Sequence, residues 1–147
     1  MGKVVDERVR DDEHYLRWIY EPRHIIKDVV KPIFISLRPK EDGVSGQIYE
    51  RLESEAEIYK AAKSFERTKE AYWGYAMATV GQIRSVALAG DEIYVLLTES
   101  LVPAHAEIRF EIEGEPIVGN TPNSKITYYF NEIRELLSHN LLRNVST

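Results

Sequence analysis

Ala104-His105-Ala106-Glu107-Ile108-Arg109-Phe110-Glu111-Ile112-Glu113 is the stretch on which the fold turns. Every even position is apolar and every odd position is ionisable. Side chains alternate faces along a strand, so the pattern specifies a β-strand with one dry side and one charged side. Charged strand faces are routine in antiparallel sheets that pack on one side only, so the plain expectation for the charged side is a face open to water.

Working outward, Ile93 to Leu97 is apolar on both faces and follows the turn-forming Ala89-Gly90-Asp91-Glu92, which suggests a central strand. Tyr72 to Val80 alternates aromatic with small residues, as a strand does whose small side meets a helix, and a turn or helical piece follows at residues 81–86. From Gln47 to about Lys69, Ile48, Leu52, Ala56, Tyr59 and Ala62 share one helical face. Glu55 lies near the middle of that stripe and is spaced to pair with Arg51. Ile33, Ile35 and Leu37 alternate with Phe34, Ser36 and Arg38, which reads as a strand just after Pro32.

At the N-terminal end, Asp11, Asp12 and Glu13 suit a helix start, Tyr15, Leu16 and Ile19 recur at helical spacing, and Pro22 stops the run. A short amphipathic helix is expected over residues 11–21, flanked by His14 and His24 in packing or local hydrogen-bonding roles. Downstream, threonine followed by proline at 121 and 122 signals a helix carrying Ile126, Phe130, Ile133 and Leu137 as a stripe. Helices and strands do not alternate regularly, so the expectation is α+β. It takes the form of a single domain over residues 1–147, a small mostly antiparallel sheet packed by two longer helices and the short N-terminal one.

The 147 residues, 44% hydrophobic and 29% charged, are enough for one core without a disulfide or metal. The absence of cysteine excludes a disulfide scaffold, a thiolate metal site and a cysteine nucleophile. A net charge of −5 with scattered basic residues lacks the basic stripe that phosphate-backbone binding needs, so nucleic acid is not an expected partner. No signal-peptide core and no bilayer-length apolar run are visible, so a soluble, cytoplasmic protein away from membranes is expected. The four histidines have no metal-ligand spacing, and no Walker loop, dinucleotide fingerprint or nucleophile elbow is present. No cofactor or metal is therefore expected.

Two functional expectations follow. In the first, the chain is an accessory protein that binds a partner protein or a second copy, with Trp18, Tyr20, Tyr72, Trp73 and Tyr75 as candidate contacts. In the second, it is a small enzyme acting on a phosphorylated or nucleotide-like substrate, with His105 as acid/base, Glu107 orienting it and Arg109 holding the anion. Ser45, or Ser36 with Arg38, would complete that site if folding brings them close.

The pieces Asp42-Gly43-Val44-Ser45, Gly81-Gln82-Ile83-Arg84-Ser85 and Pro103-Ala104-His105-Ala106-Glu107-Ile108, in this order, resemble a family of small uncharacterised bacterial proteins. The resemblance spans residues 30 to 135, with Pro-Ala-His-Ala its most specific element, and departs from the family in the long charged segment between the first and last pieces. It implies no activity, and it draws Ser45 and His105 into the candidate binding set beside Glu107 and Arg109.

Overall fold

The computed structural model describes residues 4–119 and 123–143. Along the chain run β1 (Val4–Arg8), β2 (His14–Glu21), β3 (Ile25–Ile26), β4 (Val29–Val30), a 3-10 turn at Pro32–Phe34, β5 (Val44–Ile48) and a second 3-10 turn at Tyr49–Arg51. Then follow α1 (Glu55–Ser64), β6 (Ala71–Thr79), α2 (Val80–Arg84), β7 (Glu92–Thr98), β8 (His105–Ile112), β9 (Glu115–Pro116), α3 (Ser124–Ser138) and β10 (Leu141–Arg143). The architecture is α+β, with a main antiparallel sheet in the order β1-β7-β8-β5-β2-β6-β10, β9 paired to the end of β8, and a separate antiparallel hairpin of β3 and β4.

The strand read from residues 104–113 is β8, and it sits inside the sheet with β7 on one side and β5 on the other. Its dry side, Ala106, Ile108, Phe110 and Ile112, is buried in the main core. There it meets α3, whose Ile126, Tyr129, Ile133 and Leu137 are buried, with Phe110 stacked on Tyr129 at 6.4 Å. Asp91 pins that helix, accepting hydrogen bonds from the Tyr129 hydroxyl and from Lys125 Nζ (3.2 Å). The helix begins at Ser124, where Asn123 Oδ1 accepts the Lys125 N–H at 2.8 Å; the threonine–proline start signal at 121 and 122 lies outside the described residues. The helical piece expected after β6 is α2, and Thr79 and Gln82 cap it reciprocally at 3.0 and 3.1 Å.

Three local expectations are corrected. Residues 11–21 form no helix: His14–Glu21 is β2, paired to β6 from His14↔Thr79 to Glu21↔Ala71. Its run of tyrosine, leucine, tryptophan and isoleucine suits a pleated surface buried on both faces, and such burial erases the polar positions that distinguish the two periods. Residues 33–37 form no strand, since the chain leaves Pro32–Phe34 as a 3-10 turn and drops Phe34 and Ile35 into the core. The helix expected over 47–69 is shorter, because Gln47 and Ile48 belong to β5 and the helix proper is Glu55–Ser64.

That helix, α1, covers the opposite face of the sheet, where Ile58 packs with Leu16 and Tyr75 over the half-buried Trp18, Leu52 and Met77. The Arg51–Glu55 pair does not form. Glu55 accepts the Tyr75 hydroxyl at 2.6 Å, and Arg51 reaches Glu13 instead, at 2.8 and 3.1 Å. Among the described residues no helix is long and apolar enough to cross a membrane, and no group of three or more His, Asp or Glu could hold a metal ion.

Candidate functional site

The site arises where the sheet forks. β2 pairs with β5 only at Tyr15↔Ile48 and Leu16↔Gln47. Beyond that point β2 stays with β6, while β5 runs along β8 from Gln47↔His105 to Val44↔Ile108. Arg17 stands in the fork, its guanidinium donating to the carbonyl oxygens of Phe34 (2.8 Å) and Ser45 (2.5 Å). The Phe34 carbonyl lies at the end of a 3-10 turn and the Ser45 carbonyl on β5, and each takes an arginine N–H as donor where the two segments meet.

The fork opens into a cleft of about 340 Å³ lined by Arg17, Arg23, Arg38 and Arg67, by His24, His105 and Ser45, and by Trp18, Tyr20 and Phe65. Four arginines lining one cleft are unexpected in a chain of net charge −5. Two of them have carboxylate partners: Arg23 makes a two-pronged pair with Glu70 at 3.0 Å, and Arg38 meets Glu41 at 3.1 Å. The other two do not. Arg17 bonds only to carbonyls, and the Arg67 guanidinium makes no hydrogen bond or ion pair with the described residues.

His24 registers the resulting field. It is buried, and its pKa falls to about 2, first through desolvation and then through the positive charges of Arg17, Arg23, Arg67 and Lys31. Its Nδ1 accepts the Tyr20 N–H at 3.1 Å, so the neutral ring carries its proton on Nε2. In the cleft this side chain is a neutral donor, and the positive charge comes from arginine alone.

His105 lies at the junction with a second, more open cleft lined by Glu41, Asp42, Glu99 and Glu107. The two clefts share Ser45, Phe65, Ser100, Val102 and His105, so one side of that shared wall is basic and the other acidic. The His105 ring is half-buried, its Nδ1 is hydrogen-bonded to the Thr98 hydroxyl, and desolvation lowers its pKa against the opposing pull of Glu107. The ring is therefore neutral at pH 7. The residue before it, Ala104, takes a left-handed backbone (φ +53°), which costs a side-chain-bearing residue about 1 kcal/mol.

The charged side of β8 is not open to water as expected. Glu107 is only 6% exposed, because the segments 39–43 and 99–102 rise around it. Ser45, His105 and Glu107 come together on the second cleft, and Ser45, Arg38 and His105 on the first. Arg109 joins neither; its guanidinium turns back along the strand to Glu107, at 2.8 and 3.1 Å. Ser36 hydrogen-bonds the Ile33 carbonyl and lines a side branch of the basic cleft.

Of the five aromatic residues considered for partner contacts, Tyr20 and Tyr75 are buried, and Trp18 is tied through its indole N–H to Gln47 at 2.9 Å. Tyr72 and Trp73 are half-buried, Tyr72 against Tyr20 and Tyr59, and Trp73 beneath Arg143.

Sequence reasoning passed over Arg17, Arg23, His24, Phe65 and Arg67. A signal was available only for the first. Reading residues 14–21 as a strand places Arg17 between Tyr15 and Ile19 on the face that enters the core, and a charge there asks for a partner. Comparison of the chain with family models, with characterised proteins and with solved structures returned no match.

Proposed function

We propose that the chain binds, and acts on, a small phosphorylated or nucleotide-like molecule in the arginine cleft. The observation that carries this reading is the pair Arg17 and Arg67, two guanidinium groups without carboxylate partners among the described residues that line one cleft. Guanidinium matches phosphate in geometry and keeps its charge at every working pH. His24 and Ser45 add neutral donors, and His105, neutral beside the anion, is the group suited to move a proton at a bound ligand. The role assigned to Arg109 from sequence passes in this reading to Arg17 and Arg67.

Arg67→Gln tests it. Arg67 is exposed and its guanidinium supports no other side chain, so the variant is expected to keep the wild-type melting temperature. A charge-assisted hydrogen bond is worth ~1.5–3 kcal/mol, so calorimetric titration with pyrophosphate should show about tenfold weaker binding or more. Equal affinity in variant and wild type, or no binding by the wild type, would overturn the reading.

A pH dependence follows as well. The second proton of a phosphomonoester leaves near pH 6. His24 stays neutral down to about pH 2 and burial holds the His105 pKa below its ordinary value, so the arginines supply the constant charge of the cleft while the ligand gains its second negative charge. Affinity for ribose 5-phosphate is expected to rise between pH 5 and pH 7, and a flat or falling profile would contradict an arginine-only anion site.

The accessory role with a partner protein or a second copy is favoured by a different observation. Ile26, Val29 and Ile33, on and beside the β3–β4 hairpin, are 44, 67 and 51% exposed. Sedimentation of wild type against Val29→Asp checks it for a second copy: loss of self-association supports it, and a monomer in both removes it.

A further inference from the structure

We infer that the ligand carries a flat aromatic ring, a nucleobase, and that Phe65 with Trp18 forms the platform that receives it, so the substrate class is a nucleoside phosphate. This rests on the proposed phosphate-binding role of the cleft and deepens it. A phosphate alone needs only the arginines, yet the same cleft has an apolar wall made by Trp18, Phe65 and Val102. The two rings are stacked at 5.6 Å with a 30° interplanar angle, and Phe65 remains 55% exposed. An exposed phenylalanine on a concave wall is a place for another planar group, since every base has a π-face and stacking on an aromatic side chain is sequence-tolerant.

The two halves of the site are joined covalently and held still. Phe65 caps the C-terminal end of α1, and Arg67 follows two residues later, so one short segment presents both ring and guanidinium. Glu70 closes that segment, accepting the Arg67 N–H at 3.2 Å while its carboxylate holds Arg23. A ligand therefore meets a preorganised wall, which lowers the ordering cost of binding. The volume, about 340 Å³, lies at the small end of the ~300–1,000 Å³ usual for ligand pockets and suits a mononucleotide more than a dinucleotide.

The experiment uses the chain's two tryptophans. In a Trp73→Phe background Trp18 is the sole indole reporter, and its fluorescence is followed during titration with AMP, UMP, ribose 5-phosphate and adenosine. AMP or UMP should quench Trp18 and bind about tenfold more tightly than ribose 5-phosphate, in keeping with base stacking on an aromatic residue. Phe65→Leu should remove most of that advantage by weakening AMP and UMP far more than ribose 5-phosphate, and Arg67→Gln should weaken all three. Ribose 5-phosphate binding as tightly as both nucleotides would overturn the base platform and leave the phosphate site standing. Failure of all three phosphorylated probes would overturn both.

Discussion

Gly46→Ala is expected to cost about 3 kcal/mol or more and to lower the melting temperature by roughly 10 °C. A Cβ on Gly46 would lie 2.3 Å from the Leu16 carbonyl oxygen and 2.6 Å from the Tyr15 ring. Neither neighbour has room to yield. Leu16 is locked on its other side to Met77 of β6, and the Tyr15 ring is fully buried, with its hydroxyl 2.9 Å from the Val44 carbonyl. Relief comes only by driving β2 and β5 further apart, which breaks the short pairing at the root of the fork and displaces Arg17 from the Ser45 carbonyl. Gly90→Ala is the matched comparison, because nothing lies within 4 Å of its Cβ and only its φ of +90° is strained. That variant should lose about 1 kcal/mol. Thermal melts of the two decide the matter, and a Gly46→Ala protein as stable as Gly90→Ala would mean the fork is not close-packed.

Arg51→Met is expected to destabilise the protein by about 3 kcal/mol at pH 7, with a deficit that shrinks as the solution is acidified. Glu13 is 3% exposed and holds both prongs of Arg51 as well as the Arg10 N–H, while its own carbonyl accepts the Val80 N–H that starts α2. Its pKa lies below the usual glutamate value because Arg51 donates to the carboxylate, with burial opposing. A carboxylate lowered in the folded state adds stability above its unfolded pKa of ~4.3, and that stability is lost as pH falls through the folded value. Removing Arg51 leaves a buried carboxylate facing an apolar neighbour, so wild type and variant differ most at neutral pH and converge as acidification carries the wild type through its lowered folded value. Urea unfolding at pH 7 and pH 3.5 measures both ends. A deficit that is constant with pH would show that Arg51 acts through packing and not through its charge.

Each part of the fold that was legible has a local cause. The two-sidedness of β8 was readable because a period of two is written in adjacent residues, and α3 because Ile126, Ile133 and Leu137 recur at helical spacing. β2 was misread because Tyr15, Leu16 and Ile19 satisfy a helical spacing as readily as a strand buried on both faces. Glu55 and Arg51 were spaced to pair, but the helix begins at Glu55 itself, which places Arg51 in a different element, where it pairs with Glu13.

By itself the sequence determined that residues 104–113 form a strand with one dry and one charged side and that a helix lies near the C-terminal end, since alternation and helical spacing are properties of neighbouring residues. Only the tertiary structure decided that the charged side of β8 is enclosed and that Arg17, Arg23, Arg38 and Arg67 converge. Those arginines come from β2, the turn after it, the segment before β5 and the segment after α1. What brings them together is the order of strands and the point at which β5 leaves β2, and strand order is set by the packing of the whole sheet.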